Sequence, residues 1–419
     1  MTVTCAAATL SDLTDRETPA NIPASGTVRV GNNEASPEVR SMCGQQGAQG
    51  GLDMSAPSAS GLDGVVVAHT TLSEVDGEHG QLVIRGYSVE RLVERAAFED
   101  VCALLWNGVW PSAAERAVVR TALAKARADA FAMLPSLGGA LGMPDGMESL
   151  RAAVGHLVSI DPSSDRLRLT GAIPVFAAAW ARQQLHQPPV SPRPLLSHAA
   201  DCLQMLSGYV PEPALVRALD AYWCCVAEHG MNASTFTARV VASTGSDTVS
   251  AIVAAIGALK GPLHGGAPGP VLDMLDAIGN VSSIRAWLEA ELAAGRRIMG
   301  LGHRIYHVRD PRAAALERAA SVLEASGLAA ERLPLARAVE HQAERLLAER
   351  YPDRRLRANV EFYTAVLLDS VGIPRTLFSP MFAASRVVGW CAHVDEQRTV
   401  GRLIRPASIY VGPSTGVTR

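Results

Sequence analysis

Lysine is almost missing from this chain of 419 residues, which has only Lys125 and Lys260 and carries nearly all its positive charge on arginine. Covalent chemistry that needs a lysine amine therefore has very few candidates. The net charge of −3 gives no general attraction to nucleic acid or to an anionic membrane. The longest uncharged apolar runs, residues 172–181 and 251–259, are too short for a bilayer span of about 20 residues.

The first 60 residues contain no Phe, Trp or Tyr and are rich in small and polar residues. Such a segment buries too little apolar surface to offset the entropy of ordering, so we expect a flexible tail. It has no basic start before an apolar run, which argues against a signal peptide. Seven cysteines without metal-like spacing fit a reducing compartment, and we expect a cytoplasmic protein.

Beyond the tail the pattern favours helices. Short apolar runs at residues 65–67 and 81–84, separated by Asp76-Gly77, predict a small β-ribbon. From Val89 onward almost every segment has helical periodicity, with no alternation of strands and helices. We therefore predict a mainly α-helical fold with a small N-terminal β-ribbon.

Three histidines fall where predicted helices break. One apolar stripe ends at His229-Gly230, and a second ends at Gly261-Pro262, just ahead of His264. His303 lies in a glycine-containing loop after a helix predicted for residues 283–294. A single histidine at a helix end is more often structural than catalytic. Three such breaks in one chain, two of them flanked by glycines, favour a site at which these side chains converge.

Two arginines and one glutamate complete this candidate site. Arg312 follows Asp310-Pro311, which predict the start of a helix, and a cation there is explained by a nearby anion or by solvent exposure. Arg386 lies in an otherwise apolar helix, where burial requires a carboxylate partner on the protein or a ligand. Glu361 has apolar neighbours that would raise its pKa and make it a proton acceptor, although an arginine-paired structural glutamate is the alternative.

Other kinds of site have weaker support. His303 and His307 are four residues apart, but no third ligand has metal-binding spacing, so we predict no metal site. No phosphate-binding GxxxxGK[ST] motif occurs. Lys260 beside Gly261 is better explained as a lysine near the carbonyls of a helix end than as a Schiff-base lysine.

Taken together, these segments resemble the citrate synthase family from Gly61 to Pro413. The N-terminal part of the resemblance is carried by Gly61-Leu-Asp-Gly-Val65, Arg85-Gly-Tyr87 and Leu104-Leu-Trp106-Asn-Gly108. The remainder is carried by the blocks around His229, His264 and His303, by Asp310-Pro-Arg312 and by Arg405-Pro406, which match the family in order and spacing.

The resemblance implies a helical homodimer that condenses acetyl-CoA with oxaloacetate and then hydrolyses citryl-CoA. It implies a large domain of residues 61–265 and 367–419 and a smaller, mobile domain of residues 266–366. No tightly bound cofactor is expected, since acetyl-CoA is a co-substrate. The expected location is the cytoplasm, and the expected pathway is the tricarboxylic acid cycle.

The resemblance also implies a role for each residue of the site. The catalytic residues would be His264 at the thioester oxygen, His303 at the oxaloacetate carbonyl, and Glu361 as the base. Oxaloacetate would be bound by His229, Asn232, Arg312, Arg386 and, from the partner subunit, Arg405. CoA would be bound by Arg296, Arg297, Ile298, Met299, Gly300, Leu301 and Gly302.

Three departures from the family pattern stand out. Glu361 occupies the position of the family's usual aspartate and adds one methylene to a proton-transfer geometry. Pro268 stands where asparagine is common, and Gly230 stands where many members have glutamate. Two alternatives stay open. One is a 2-methylcitrate synthase that uses propionyl-CoA, because one methylene in an acyl pocket changes selectivity little. The other is a catalytically weak paralogue that binds oxaloacetate or CoA as a sensor, which Glu361 and the long N-terminal tail favour.

Overall fold

A computed structural model describes residues 60–62, 64–265, 268–328 and 331–412. The chain divides between Val67 and Ala68 into two units. In the first unit, the described residues form a 3-10 turn at Ser60–Leu62. The flexible tail is predicted for residues 1–60, and residues 1–59 lie outside the described part of the chain.

The second unit is built mainly from helices, as predicted. Between Ala68 and Gly412 the described residues form fifteen α-helices: α1 (Val89–Arg95), α2 (Phe98–Asn107), α3 (Ala113–Met133), α4 (Gly146–Val154), α5 (Pro162–Gln184), α6 (His198–Ser207), α7 (Pro213–Val226), α8 (Ala233–Ser243), α9 (Thr248–Leu259), α10 (Pro268–Ile278), α11 (Ile284–Ala293), α12 (Pro311–Ala325), α13 (Leu333–Arg350), α14 (Val360–Ser370) and α15 (Phe378–Val400). None of the helices in these ranges is long and apolar enough to cross a membrane.

A small antiparallel sheet precedes the helices. Its strands, in order, are β1 (Ser73–Asp76), β2 (Gln81–Ile84) and β3 (Tyr87–Ser88). The prediction of β2 is confirmed, but the prediction of a strand at residues 65–67 is wrong. The turn after Asp76 pairs that residue with Gln81, because a short hairpin turn brings together the residues that directly flank it.

Local capping signals set several helix boundaries. Asp310 caps α12, with its side chain accepting from the Arg312 N–H (3.0 Å) and with Pro311 as the first helical residue. Gly327 follows the end of this helix with a φ of +79°. The helix predicted for residues 283–294 is α11, which a 3-10 turn at Val281–Ser283 precedes.

The candidate site forms where several helix ends meet the middle of α15. Helix α15 packs against α5, α7, α8 and α9, and α12 packs against α7 and α14. The face of α15 that carries Arg386 and Trp390 is fully buried. The predicted division of the helices into a large and a small domain stays a prediction.

Candidate active site

His229 lies buried in the turn between α7 and α8. Its Nε2 lies 3.1 Å from the hydroxyl of Tyr306. Burial, reinforced by Arg312 and Arg386, holds the pKa of His229 well below its usual range. The ring is therefore neutral at pH 7 and serves as a hydrogen-bonding group.

His264 follows the end of α9 and meets the start of α8. The backbone N–H of Ser234 donates to His264 Nε2 (3.3 Å), and Ser234 Oγ lies 2.7 Å from the same nitrogen. Because a backbone N–H can only donate, Nε2 is the acceptor and we assign the ring proton to Nδ1. Burial, followed by Arg386, lowers the pKa of His264 to about 4. At neutral pH this residue offers an uncharged Nδ1–H donor.

His303 is fixed in the opposite tautomer. The backbone N–H groups of Ile305 and Tyr306 both donate to His303 Nδ1, each at 3.1 Å. We therefore assign the proton to Nε2, which lies 3.4 Å from Arg312 Nη2. Burial and the charge of Arg312 lower the pKa of His303 to about 4, so this ring is also neutral at pH 7.

Asp310 is a buried anion next to Arg312, so the first of the two explanations for this cation holds and solvent exposure does not. Its Oδ2 accepts from Arg312 Nη2 (2.8 Å), and its Oδ1 accepts from Arg312 Nε (3.0 Å). Oδ2 also accepts from the N–H of Val360 at the start of α14 (3.1 Å). One carboxylate therefore ties the helix that carries Arg312 to the helix that carries Glu361.

Glu361 lies half-buried in the first turn of α14. Burial raises the pKa of Glu361 to about 7, although the charges of Arg312 and Arg386 act in the opposite direction. Near neutral pH the carboxyl group exchanges a proton readily, as a catalytic base requires. The charges of both arginines act on this carboxyl group, so the three side chains lie within electrostatic range of one another. Their common role in one site stays a prediction.

Arg386 is a buried side chain of α15 that contacts the end of α7. Its Nε donates to the Val226 carbonyl at the end of α7 (2.6 Å), and its guanidinium lies over the ring of Phe382 at 4.7 Å. Its buried Nη2 has no hydrogen-bond partner among the described residues. Burial lowers the pKa of Arg386 to about 10, still well above neutral. A buried, charged donor with an unused N–H is suited to a ligand carboxylate.

The loop predicted to bind CoA is attached to the start of α14. Leu301 forms an antiparallel bridge with Ala358, and the Gly302 N–H donates to the Arg357 carbonyl (2.7 Å). The Asn359 N–H donates to the Gly300 carbonyl (2.9 Å), and its side-chain amide donates to the Gly302 carbonyl (2.8 Å). Asn359 Oδ1 in turn accepts from the backbone N–H of Glu361 (3.0 Å), so this loop and the candidate base share one support.

Several predicted residues lie outside this cluster in the single chain. Arg296 is exposed and pairs with Glu291, and Arg297 is also exposed. Arg405 is exposed in the segment after α15. Asn232, by contrast, lies next to the cluster. Its Oδ1 caps α8 by accepting from the Thr235 N–H (3.1 Å) and also accepts from Ser234 Oγ (2.8 Å), which contacts His264. Of the remaining loop residues, Ile298 is buried and Met299 is half-buried.

Some residues of the site were not predicted from the sequence. Ser234 sets the tautomer of His264, and Tyr306 contacts both His229 and His303. Each follows a predicted residue by two or three positions, which is the available sequence signal.

Lys260 pairs with Glu148 and Asp145, so the predicted interaction with the carbonyls at its helix end is wrong. Two acidic side chains on α4 and its N-cap offer this amine a stronger partner.

The arrangement combines a carboxyl group of raised pKa, two neutral imidazole donors of fixed tautomer and two buried guanidinium groups. Such a set can remove a proton from a weak carbon acid while donors stabilise the oxygen that becomes negative. Among the described residues, no group of three or more His, Cys, Asp or Glu side chains is placed to hold a metal ion. The fold and the site thus define a helical enzyme for carbon-acid chemistry on an anionic substrate.

Comparison with known proteins gives the family. The family model described as the citrate synthase C-terminal domain matches residues 61–407. The chain is 38% identical to a 2-methylcitrate synthase of Mycobacterium tuberculosis, covering 84% of this chain and 90% of the relative. It is 36% identical to a citrate synthase of Acidithiobacillus ferridurans, covering 84% and 95% of the two chains. The protein belongs to the citrate synthase family.

A solved structure has the same fold. The citrate synthase of the archaeon Thermoplasma acidophilum, in a ternary complex with carboxymethyl coenzyme A and oxaloacetate, superposes with a TM-score of 0.78. The two chains are 26% identical, and the match covers 86% of this chain and 98% of the archaeal one. The predicted family is confirmed, and so is the predicted fold class, a mainly α-helical fold with a small β-sheet near its N-terminus.

Proposed function

We propose that this protein is a citrate synthase, an acyltransferase that condenses acetyl-CoA with oxaloacetate and water to give citrate and CoA. The observation that carries the proposal is the geometry around Arg312. Its Nη2 lies 3.4 Å from His303 Nε2, and its partner Asp310 also accepts from the Val360 N–H (3.1 Å), next to Glu361. The ligands of the Thermoplasma relative support the same two substrates.

In the first step, the Glu361 carboxylate removes a proton from the methyl group of acetyl-CoA. The electron pair moves toward the thioester oxygen, where the Nδ1–H of His264 donates a hydrogen bond and stabilises the enolate. A thioester methyl is a very weak acid, so a base needs a preorganised donor opposite it. The neutral state of His264 suits this donor, because an uncharged N–H is available throughout the neutral pH range.

In the second step, the enolate carbon attacks the ketone carbon of oxaloacetate, and the electron pair of the C=O double bond moves to the ketone oxygen, which is then protonated to the hydroxyl group of citryl-CoA. The Nε2–H of His303 polarises this carbonyl, while Arg312, Arg386 and His229 bind the carboxylates. Guanidinium groups suit a dicarboxylate because their planar forks match carboxylate oxygens. Water then hydrolyses the thioester of citryl-CoA, which releases citrate and CoA.

The proposal includes CoA binding along residues 298–302, with Arg296 and Arg297 near the phosphates. Attachment of this loop to residues 357–359 supports a thioester bound next to Glu361. Acetyl-CoA is a co-substrate, and no tightly bound cofactor takes part.

We also propose a homodimer in which the exposed Arg405 reaches the partner's site. The free, buried thiols of the described residues support a cytoplasmic enzyme of the tricarboxylic acid cycle.

The acyl group of the CoA substrate is acetyl in this proposal, and propionyl is the alternative. The near-equal identity to a citrate synthase and to a 2-methylcitrate synthase supports propionyl-CoA as the alternative substrate. One methylene in an apolar pocket shifts selectivity by only about 1–3 kcal/mol. A competition assay of purified protein with oxaloacetate, acetyl-CoA and propionyl-CoA measures the ratio of the two products. A larger kcat/KM for propionyl-CoA would replace citrate with 2-methylcitrate in the proposal.

A sensor is the second candidate, and Glu361 at the usual aspartate position favours it. CoA release, followed with a thiol reagent, separates an enzyme from a binding protein. We expect turnover that depends on both oxaloacetate and an acyl-CoA. Tight binding of both ligands without CoA release above background would instead support the sensor.

A further inference from the structure

Glu228 is a fully buried carboxylate beside the site that no step of the proposed reaction uses. Its Oε1 accepts hydrogen bonds from Ser73 Oγ (2.9 Å), from the Gly230 N–H (2.6 Å) and from His393 Nε2 (2.9 Å). Burying a carboxylate is costly unless donors satisfy it. Three donors on Oε1 therefore fix this side chain, while the buried Oε2 has no hydrogen-bond partner among the described residues.

The partners of His393 determine which nitrogen carries its proton. Arg239 Nη1 lies 3.0 Å from His393 Nδ1, and a guanidinium can only donate. Nδ1 is therefore the acceptor, and the Nε2–H donates to Glu228. Arg239 also pairs with Glu396 (2.7 Å) and donates to Gln397 Oε1 (3.0 Å). A continuous chain of hydrogen bonds thus supports Glu228 from the last turns of α15.

On its other side Glu228 contacts the segment that presents His229. Its bond to the Gly230 N–H closes the turn around His229, and Gly230 adopts the left-handed region with a φ of +59°. The Glu228 carboxylate also lies against α15 at Gly389, one helical turn after Arg386, and Arg386 Nε donates to the Val226 carbonyl two residues before Glu228. At this short range the negative charge of Glu228 favours the charged form of Arg386. Among the described residues, Nη2 of Arg386 has no hydrogen-bond partner.

Gly389 supplies the space that this arrangement needs. A Cβ atom at this position of α15 would lie 2.5 Å from Glu228 Oε2 and would also overlap the Ala227 carbonyl. Glycine weakens a helix interior by about 1 kcal/mol relative to alanine. Its presence in the middle of a buried helix is explained first by the Ala227 carbonyl oxygen, which would lie nearer still to such a Cβ, and then by the close approach of the Glu228 carboxylate.

We infer that Glu228 is a positioning residue for the binding of oxaloacetate. It fixes the turn that carries His229, and it balances the charge of Arg386 so that one N–H of that guanidinium stays open for a substrate carboxylate. This inference rests on the proposed function, because it assigns the carboxylates of the proposed substrate to His229 and Arg386.

The test is Glu228→Gln, which keeps the shape of the side chain and removes its charge. We expect the KM and the calorimetric Kd for oxaloacetate to rise about tenfold, as for the loss of one buried charged hydrogen bond. The KM for acyl-CoA should stay unchanged, and kcat should change less than the KM for oxaloacetate. Glu228→Asp, which keeps the charge, should restore part of the affinity.

Asp201→Asn is the matched control. Asp201 is equally buried, and its carboxylate pairs with Arg127 (2.6 Å) outside the site. This variant should lower the thermal stability, as Glu228→Gln does, without changing the KM for oxaloacetate. Equal oxaloacetate affinity in wild type and Glu228→Gln, or an equal loss in Asp201→Asn, would overturn the inference.

A readout without substrate tests the turn itself. The Gly230 amide donates to Glu228 (2.6 Å) and to Ser73 Oγ (3.0 Å), and Ser73 Oγ is itself held by its hydrogen bond to Glu228. This amide should therefore exchange with solvent faster in Glu228→Ala than in wild type, and unchanged protection would contradict the inference. Failure of the proposed function is seen separately. Wild type that binds oxaloacetate but releases no CoA ends the citrate synthase proposal, while the affinity comparison still decides the role of Glu228.

Discussion

His303 Nε2 and Arg312 Nη2 lie 3.4 Å apart, and both atoms carry a proton. Two backbone N–H groups occupy His303 Nδ1, which leaves its proton on Nε2, and a guanidinium nitrogen is always a donor. Two donors that face each other in a half-buried site require an acceptor between them. In the proposed reaction, a carbonyl or carboxylate oxygen of oxaloacetate would be that acceptor.

Removal of the His303 donor should slow the proposed reaction strongly. We expect His303→Ala to lower kcat/KM for oxaloacetate by a factor of about 100 or more, as for a lost donor to a developing oxyanion. The matched control is His307→Ala, because His307 is exposed and lies 3.6 Å from Glu78. Steady-state kinetics should show wild-type turnover for the control. Similar kinetics in both variants would remove His303 from the mechanism.

Glu361→Gln should abolish condensation while oxaloacetate still binds. The amide keeps the size of the side chain but cannot accept the methyl proton, so kcat should fall by a factor of about 100 to 10,000. CoA release measures the reaction, and calorimetry measures oxaloacetate binding. Glu361→Asp, which restores the residue usual in the family, is the control and should retain turnover. Near-normal turnover in the glutamine variant would refute the assignment of the base.

The rate should rise with pH through the pKa of Glu361, which burial raises to about 7. The carboxylate is the active form, so activity is lost as the group becomes protonated below that pH and reaches a plateau above it. His264 and His303 titrate near pH 4 and stay neutral over this range. In Glu361→Asp the rise should move to lower pH, because aspartate has the lower ordinary pKa. A profile of kcat/KM that is flat between about pH 5 and 8 would contradict this role.

The sequence predicted those features of the fold that depend on neighbouring residues. Asp310-Pro311 predicted the start of α12, because capping and proline act within one turn of helix. The second contact of Asp310, with the N–H of Val360, joins residues fifty positions apart and left no local signal. Residues 65–67 were assigned to a strand on apolar character alone, whereas the pairing partner of β2 is selected by the turn.

The difference between contacts of neighbouring residues and contacts of distant residues also explains which features of the candidate site could be predicted. His264, His303 and Glu361 were identified by their residue type and their place at helix ends. The choice of ring nitrogen depends on Ser234 for His264 and on the Ile305 N–H for His303, and such contacts emerge only when the chain is folded. Burial of Arg386 was predicted from its apolar neighbours, but its carbonyl partner belongs to a different helix.

Gly300 should be required for CoA binding because of its backbone and its contact with α14. Its φ is +73°, and a Cβ atom would lie 2.8 Å from the ring of Phe362. We expect Gly300→Ala to raise the KM for acyl-CoA and to lower the melting temperature. Gly295→Ala is the control, since Gly295 has a φ of +72° and a Cβ there meets nothing within 4 Å. Equal effects of the two variants on the KM for acyl-CoA would show that strain alone matters.

The proposed contribution of Arg405 to the partner's site can be tested by mixing two inactive variants. Glu361→Gln and Arg405→Gln should each be inactive as homodimers. In a mixed dimer, one site combines both substitutions and the other has neither, because each site takes Glu361 from one subunit and Arg405 from the other. Random re-association of equal amounts should therefore restore about a quarter of wild-type activity, since half of the dimers are mixed and half of their sites are intact.

The control mixes Glu361→Gln with His303→Ala, two residues that one chain brings to its own site. Both sites of such a mixed dimer lack one group, so activity should stay at the background level. Recovery only in the mixture that contains Arg405→Gln means that this exposed arginine acts across the interface. If the two mixtures are equally inactive although mixed dimers form, Arg405 serves its own chain and the site is complete within one subunit.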